Sequence, residues 1–354
     1  MSDSAANSPT VHNGRITQED VARRAGVTRA TVSMALKAHK SIPEKTRNRI
    51  LRIAAKLGYR PDPMLSALAA YRSSSRPATF HGTLAWLINS AFGYDWRVVP
   101  QFCDYHFGAL TRAKRHGFNV ETFDLNAPNM TRDRLAAIFR ARNIQGLLLC
   151  PQPRSETTLE FTWADFSAVT FGYTLASPHL HTVVSTQYRD MLLTLQQVRA
   201  RGYSRIGLML NHEHDLRTNY NYRSGFLIAQ SLWPKSPKIP ILGCLYDDYE
   251  ALGRWLQKNK PDVIIACGGE TCVRALKRLG VRVPQDVGLA LPNLAAATSR
   301  VSGVVENSSE IGAVAVDLIV AMIQRGERGI PEYPQRIHVE GAWHPGNSLR
   351  LSPR

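Results

Sequence analysis

"AGVTRATVSMALKAHKSIPEKTR" runs from Ala25 to Arg47 and decides how this 354-residue chain is read. Upstream, Thr17-Gln-Glu-Asp20 has the form of a capping box, with Asp20 in place of the usual Glu or Gln. Val21, Ala22 and Ala25 make one apolar face, and Gly26 suits the left-handed residue that ends such a helix. Thr28 is placed to cap a second helix, with Val32, Ala35 and Leu36 pointing inward. A third helix starts near Pro43, a residue favoured at the first helical position. Ile50, Ile53, Ala54 and Leu57 follow the i, i+3, i+4, i+7 template of a core stripe, and Gly58 closes it. Two short helices across a glycine turn, packed by a third, make a helix-turn-helix unit. The face opposite its core carries Arg29, Ala30, Ser33, Met34 and Lys37. It is narrow enough for a major groove and basic at both ends. A three-helix bundle without a DNA role fits the same pattern.

Charge is loaded on this end. Residues 15–72 hold 13 Lys/Arg and 4 Asp/Glu, a net +9 within a chain total of +16. A basic segment of this kind suits phosphates, although a merely solvated face has the same composition. The next stretch has Asp62 as a helix cap and Pro63 at the first helical position. About eight helix-capable residues follow, too few for a stable isolated helix, so this segment is expected to order only when supported. Arg72-Ser-Ser-Ser-Arg-Pro77 reads as a flexible linker.

"DVARRAGVTRATVSMAL", "TRNRILRIAAKLGYRPDP" and their order resemble the lactose-repressor (LacI/GalR) family of bacterial transcription regulators. The likeness is close over Ile16 to Arg72 and holds in outline beyond. It implies that the second helix reads the major groove and that paired hinge segments of a dimer insert a leucine, here Leu68, into the minor groove. The positions expected against DNA are Thr17, Thr28, Arg29, Ala30, Thr31, Ser33, Met34, Lys37, Tyr59 and Leu68. Met34 departs from the family, which usually has Arg there. Arginine bonds guanine bidentately, whereas methionine offers only apolar contact, for instance to a thymine methyl, so a changed base preference is expected. Packing of Met34 against another helix is the alternative.

From residue 81 apolar runs alternate with helical stretches: "TLAWLIN", "NVETFDL", "IQGLLLCP", "FSAVTFGY" and "HTVVST", then "RIGLMLN", "IPILGCL", "DVIIACGG" and "VGLALPNL". Such alternation implies parallel sheets covered by helices, here two doubly wound α/β lobes. The resemblance adds a type I periplasmic-binding-protein architecture in which the chain recrosses between lobes. The expected organisation is a tail over 1–14, the helix-turn-helix domain over 15–60 and a hinge helix with linker over 61–79. An effector and dimerisation domain follows over 80–354. Within it, lobe one takes about 80–184 and 307–333, and lobe two about 185–306 and 334–354, with "RIHVEG" in lobe two.

Ligands in such sheets bind beyond the carboxyl ends of the strands. Those ends present Asn89, Ser90, Tyr173, Asn211, Gly268, Gly269, Asn293, Glu306 and Asn307. Recurrent asparagines, able to donate and accept, suit neutral polyhydroxyl ligands. Arg223 in "NYNYRSGF" is matched to the family's RxxGF motif, whose arginine, the resemblance implies, contacts the effector. Asn293 stands in "LPN" where the family often has Asp. Phe92, Tyr94 and Trp96 lie in a loop that looks longer than the family norm; they suit either sugar stacking or packing at the lobe edge. The residues expected at the effector are Asn89, Phe92, Tyr173, Asn219, Arg223, Tyr246, Asn293 and Glu306.

Other motifs are weak. "NHEHD" lacks a structural zinc spacing, and Asn211 to Asn221 reads more simply as a loop between a strand and a helix. "CGGET" lacks both GxxxxGK[ST] and GxGxxG and reads as a tight turn. No GxSxG or HExxH occurs, so no enzyme, cofactor or metal is expected. No run of about 18 apolar residues predicts a membrane span, and the polar N-terminus lacks an apolar signal core. Five cysteines without a CxxC pair read as reduced thiols of a cytoplasmic protein. The chain therefore reads as a DNA-binding repressor, a homodimer on a palindromic double-stranded operator, controlled by a sugar or sugar derivative. A transport solute-binding protein would explain the lobes but leave residues 15–72 without a use.

Overall fold

The computed structural model describes residues 16–36, 42–59 and 81–351. The expected tail over 1–14, Lys37, and the hinge and linker over 61–79 with Leu68 lie outside the described residues. The chain divides near residue 80 into two compact units.

The first unit contains α1 (Gln18–Ala25), α2 (Arg29–Leu36) and α3 (Glu44–Lys56). The capping box forms: Thr17 Oγ1 accepts from Asp20 N, and the Asp20 carboxylate accepts from Thr17 N at 2.9 Å. Gly26 ends α1 at φ 63°, a left-handed conformation that costs a side chain but not glycine. Thr28 Oγ1 accepts from Thr31 N at 3.2 Å and so caps α2. Val21, Ala22, Ala25, Val32, Ala35, Ile50 and Ala54 form the core, ringed by Leu36, Ile53, Leu57 and Tyr59. Four alanines among seven buried residues let short helices approach closely, but they bury little area each, so the caps matter here.

In the second unit, lobe one begins with β1 (Gly82–Ile88), α4 (Pro100–Arg115), β2 (Phe118–Asp124), α5 (Arg132–Ala141) and β3 (Gly146–Leu149). Then come β4 (Thr157–Thr158), β5 (Ser167–Phe171), β6 (Leu175–Ser177) and β7 (His181–Ser185). Lobe two has α6 (Gln187–Ala200), β8 (Ile206–Met209), α7 (His212–Arg217), α8 (Asn221–Leu232) and α9 (Tyr249–Asn259). It continues with β9 (Val263–Ala266), α10 (Glu270–Arg278), β10 (Gly288–Leu294) and β11 (Ser302–Val305). Last are α11 (Ser308–Arg325), β12 (Arg336–Val339) and β13 (Ala342–His344).

The first sheet is wholly parallel, in the order β12-β7-β5-β3-β1-β2. β3, β5 and β7 are buried along their whole length, as strands covered on both faces must be. The second sheet has the order β13-β11-β10-β9-β8, with β13 antiparallel to β11. α11 returns to lobe one, packing Ile311, Ala315, Val316 and Ile319 with Leu84, Trp86 and Leu148. It crosses α4 backbone to backbone: a Cβ at Gly312 would overlap the Tyr105 carbonyl, and one at Gly108 the Ser309 carbonyl.

Three expectations are corrected. "RIHVEG" does not return to lobe two: β12 pairs with β7 from Arg336↔Thr182 to Val339↔Ser185. Its alternating half-exposure is that of an edge strand, and the crossing follows at Glu340–Gly341. "IPILGCL" makes one bridge, Met209 to Leu242, because Pro240 and Gly243 interrupt it. Residues 211–221 are not simply a loop, since Asn211 caps the short helix α7 through His214 N at 2.7 Å.

Candidate functional site

On α2, Arg29 and Ala30 are exposed, while Thr31, Ser33 and Met34 are half-buried. Thr17 and Thr28 use their hydroxyls on helix caps, and Thr28 Oγ1 also lies 2.9 Å from Thr31 Oγ1. Tyr59 packs at the core edge. The face so displayed is basic at Arg29.

Between the lobes of the second unit lies a cavity of about 650 Å³ at the carboxyl ends of both sets of strands. Four of the eight residues expected at an effector line it: Tyr173 after β5, Asn293 on β10, Glu306 after β11, and Tyr246. The other four do not. Asn89 has its amide taken up by Gln152 at 2.9 Å and by Asn126 and Ala91 N. Phe92 is 75% exposed, with Arg154 stacked over its ring at 3.8 Å. Asn219 lines a separate cavity of about 280 Å³ with Tyr220 and Arg336. Arg223 donates to the buried Asp215 carboxylate at 2.5 Å. The spacing explains the last: Arg223-Ser-Gly-Phe has one residue before the glycine, so the RxxG position is Tyr222. Tyr222 is buried and lines the cavity, about 100° around α8 from Arg223. Of the three loop aromatics, only Tyr94 reaches the cavity, while Trp96 packs against Trp86 and His106.

Sequence reasoning missed Gln101, Phe102 and Tyr105 on α4 and His214 and Arg217 on α7. The pairs Gln101/Tyr105, Phe102/Tyr105 and His214/Arg217 are three or four residues apart, as helix neighbours are, but which face meets the cleft depends on the lobe packing. Burial pushes the His214 imidazole down to about 4, so it is neutral at pH 7. Burial also raises the Glu306 carboxyl, against the stabilising bond from Tyr105. Tyr94 Oη, Tyr246 Oη and Asn293 Oδ1 are buried without a well-formed hydrogen bond. Polar contacts bridge the cleft: Ser155 N and Oγ to Glu213 at 3.1 and 2.9 Å, Arg217 to the Pro153 carbonyl at 3.1 Å, and Gln101 to the Asn293 carbonyl at 3.3 Å. Among the described residues no cluster of His, Cys, Asp and Glu could hold a metal, and no helix is long and apolar enough to cross a membrane.

A reading helix followed by a two-lobed cleft defines a ligand-linked DNA-binding class. Residues 17–62 match the model of bacterial regulatory proteins of the lacI family, and residues 195–349 match a periplasmic binding protein-like domain. The repressor CytR of Escherichia coli K12 is 23% identical over 305 residues, covering 77% of this chain and 78% of CytR. The regulator KdgR of Bacillus subtilis 168 is 23% identical over 336 residues, covering 90% and 94%. The regulator CelR solved with cellobiose superposes with a TM-score of 0.58 at 20% identity, covering 94% of this chain and all of CelR. The lac repressor dimer on its operator gives 0.55 at 14%, covering 95% and 100%. The chain joins a helix-turn-helix domain of the lacI family of bacterial regulatory proteins to a periplasmic binding protein-like domain, the build of a DNA-binding transcriptional regulator.

Proposed function

We propose that this protein is a cytoplasmic, non-catalytic repressor that binds a palindromic operator as a homodimer, with α2 in the major groove. A small molecule, a sugar or sugar derivative, binds in the cleft and sets the operator affinity. The observation that carries this reading is the cavity itself: two lobes closed over aromatic walls and unpartnered polar atoms, in a chain that begins with a reading head. The likeness to CelR with cellobiose and to the lac repressor dimer on operator supports both the ligand class and the assembly.

On this reading Tyr173, Tyr246, Asn293 and Glu306 contact the effector, together with Tyr94, Tyr105, Arg217 and Tyr222. Arg29, Ala30, Ser33 and Met34 meet base edges, while Thr17, Thr28, Thr31 and Tyr59 hold or orient the head against the backbone. Cleft closure alters the spacing of the two heads, so effector and operator change each other's affinity reciprocally, typically by about 1–3 kcal/mol. The test is fluorescence anisotropy on a duplex selected by the protein, titrated with and without a mixture of sugars and sugar acids. A shift of about fivefold or more in operator Kd supports the reading. An operator Kd indifferent to every compound that binds the protein overturns it.

A further inference from the structure

The cleft's unsatisfied groups say more about the ligand than its size does. Among the described residues lining the cavity, Arg217 is the one arginine or lysine, and His214 beside it is neutral at pH 7. The Arg217 guanidinium is poorly matched within the protein. Its Nη1 donates to the Pro153 carbonyl, and its nearest carboxylate oxygen, on Glu213, is 3.9 Å away. That carboxylate already accepts from Ser155 N and Oγ. The buried Tyr94 hydroxyl stands against Arg217, close enough for the guanidinium to act on it, so a cation and an O–H donor share one wall. Across the whole cavity the buried atoms without a well-formed hydrogen bond are two hydroxyls, Tyr94 beside Arg217 and Tyr246 beside the Asn211 backbone, and one acceptor, Asn293 Oδ1. With Arg217 included, donors outnumber acceptors. The cavity's own buried carboxylate, Glu306, is covered by the Tyr105 and Ser308 hydroxyls.

A neutral polyol can accept from these donors through its hydroxyl lone pairs but brings no charge to the guanidinium, whose desolvation then goes uncompensated. A carboxylate matches it: one negative charge, acceptor oxygens only, and a planar fork for a guanidinium. A phosphate monoester brings nearly two charges to a single cation, and a second buried charge without a counterion is costly. The aromatic walls and the volume of about 650 Å³ suit a ring. Resting on the proposed effector role of this cleft, we propose that the ligand is a ring-bearing monocarboxylate of sugar-acid size, its carboxylate held by Arg217 and Tyr94 and its ring by the tyrosine walls.

The test is a thermal-shift series on the full chain, followed by titration calorimetry. The probes are D-glucuronate, D-galacturonate and benzoate, their neutral counterparts D-glucose, D-galactose and benzyl alcohol, and D-glucose 6-phosphate. At least one acid is expected to raise the Tm where its neutral counterpart does not. Arg217→Met is expected to weaken that acid about 30-fold, and Arg217→Lys to recover part of the loss, which separates charge from folding. The assignment is overturned if no acid shifts the Tm, or if a neutral counterpart or the phosphate ester binds as tightly. It is also overturned if Arg217→Met binds the acid normally. A neutral sugar that binds and changes operator affinity would overturn the acid but leave the regulator standing. An acid that binds and leaves operator affinity unchanged would do the reverse.

Discussion

The Tyr105 hydroxyl, on α4 of lobe one, donates to the buried carboxylate of Glu306, at the end of β11 in lobe two. This bond joins the two lobes at the floor of the cavity, where both side chains also form its lining. Removing the hydroxyl leaves a buried carboxylate with the longer Ser308 bond at 3.3 Å and the Ser185 hydroxyl nearby. Tyr105→Phe is therefore expected to lower stability by about 1–3 kcal/mol. It should also weaken ligand binding, because the closed arrangement loses a contact that an open one does not need. Denaturant unfolding and calorimetry check this; unchanged values in both would remove the bond from the account.

Asp190 gives a pH signature. It is buried at the start of α6, where Thr186 Oγ1 donates to it at 3.1 Å. Burial, with smaller contributions from Glu306 and Glu340, pushes its carboxyl up to about 7, against the Thr186 bond. In the unfolded chain it titrates near pH 3.9, about the usual aspartate value. Between those limits the native state binds more protons than the unfolded one. Asp190's stabilising share is thus complete below about pH 4 and is lost as pH rises through about 7. Asp190→Asn should raise the Tm by a few degrees at pH 8 and converge on the parent near pH 4. An equal gap at both pH values would contradict the titration.

Arg223→Ala is expected to act on folding rather than on ligand recognition. Asp215 is 1% exposed, and Arg223 is its ion-pair partner. Stripping the partner from a buried carboxylate costs about 3–5 kcal/mol; the figure falls toward the lower end here because Arg223 is itself partly exposed. Urea unfolding should show the loss. An Arg223→Ala protein of parental stability that fails to bind ligand would restore the arginine to the effector site.

Met34→Arg is expected to change the preferred base at one position of each half-site, toward guanine, by about 1–3 kcal/mol. Site selection with both proteins checks this. Identical preferences would mean that Met34 only packs.

The helix-turn-helix unit was legible because its devices are local. The capping box, Gly26 and the apolar stripe each act within a few residues, and each formed as written. The strand-to-helix alternation gave the two lobes for the same reason. The sheet that β12 joins is not legible, because an edge strand of four residues carries no record of its partner. The cavity was half legible. Tyr173, Asn293 and Glu306 are fixed by strand ends, which the sequence shows. Arg217 and Tyr105 reach the cleft through the packing of α4 and α7, which is non-local, and Tyr94 is visible in the sequence only as one of three loop aromatics. Arg223 stands one residue past the motif position at Tyr222, an offset that on a helix turns a side chain by about 100°.

The most direct test is selection of binding sites from a random DNA pool by the purified full-length protein, at fixed salt because phosphate contacts make affinity salt-dependent. The account predicts enrichment of one two-fold symmetric site whose half-sites respond to substitutions at Arg29 and Met34. Enrichment of no site, either with the protein alone or with the sugars and sugar acids added, would contradict it.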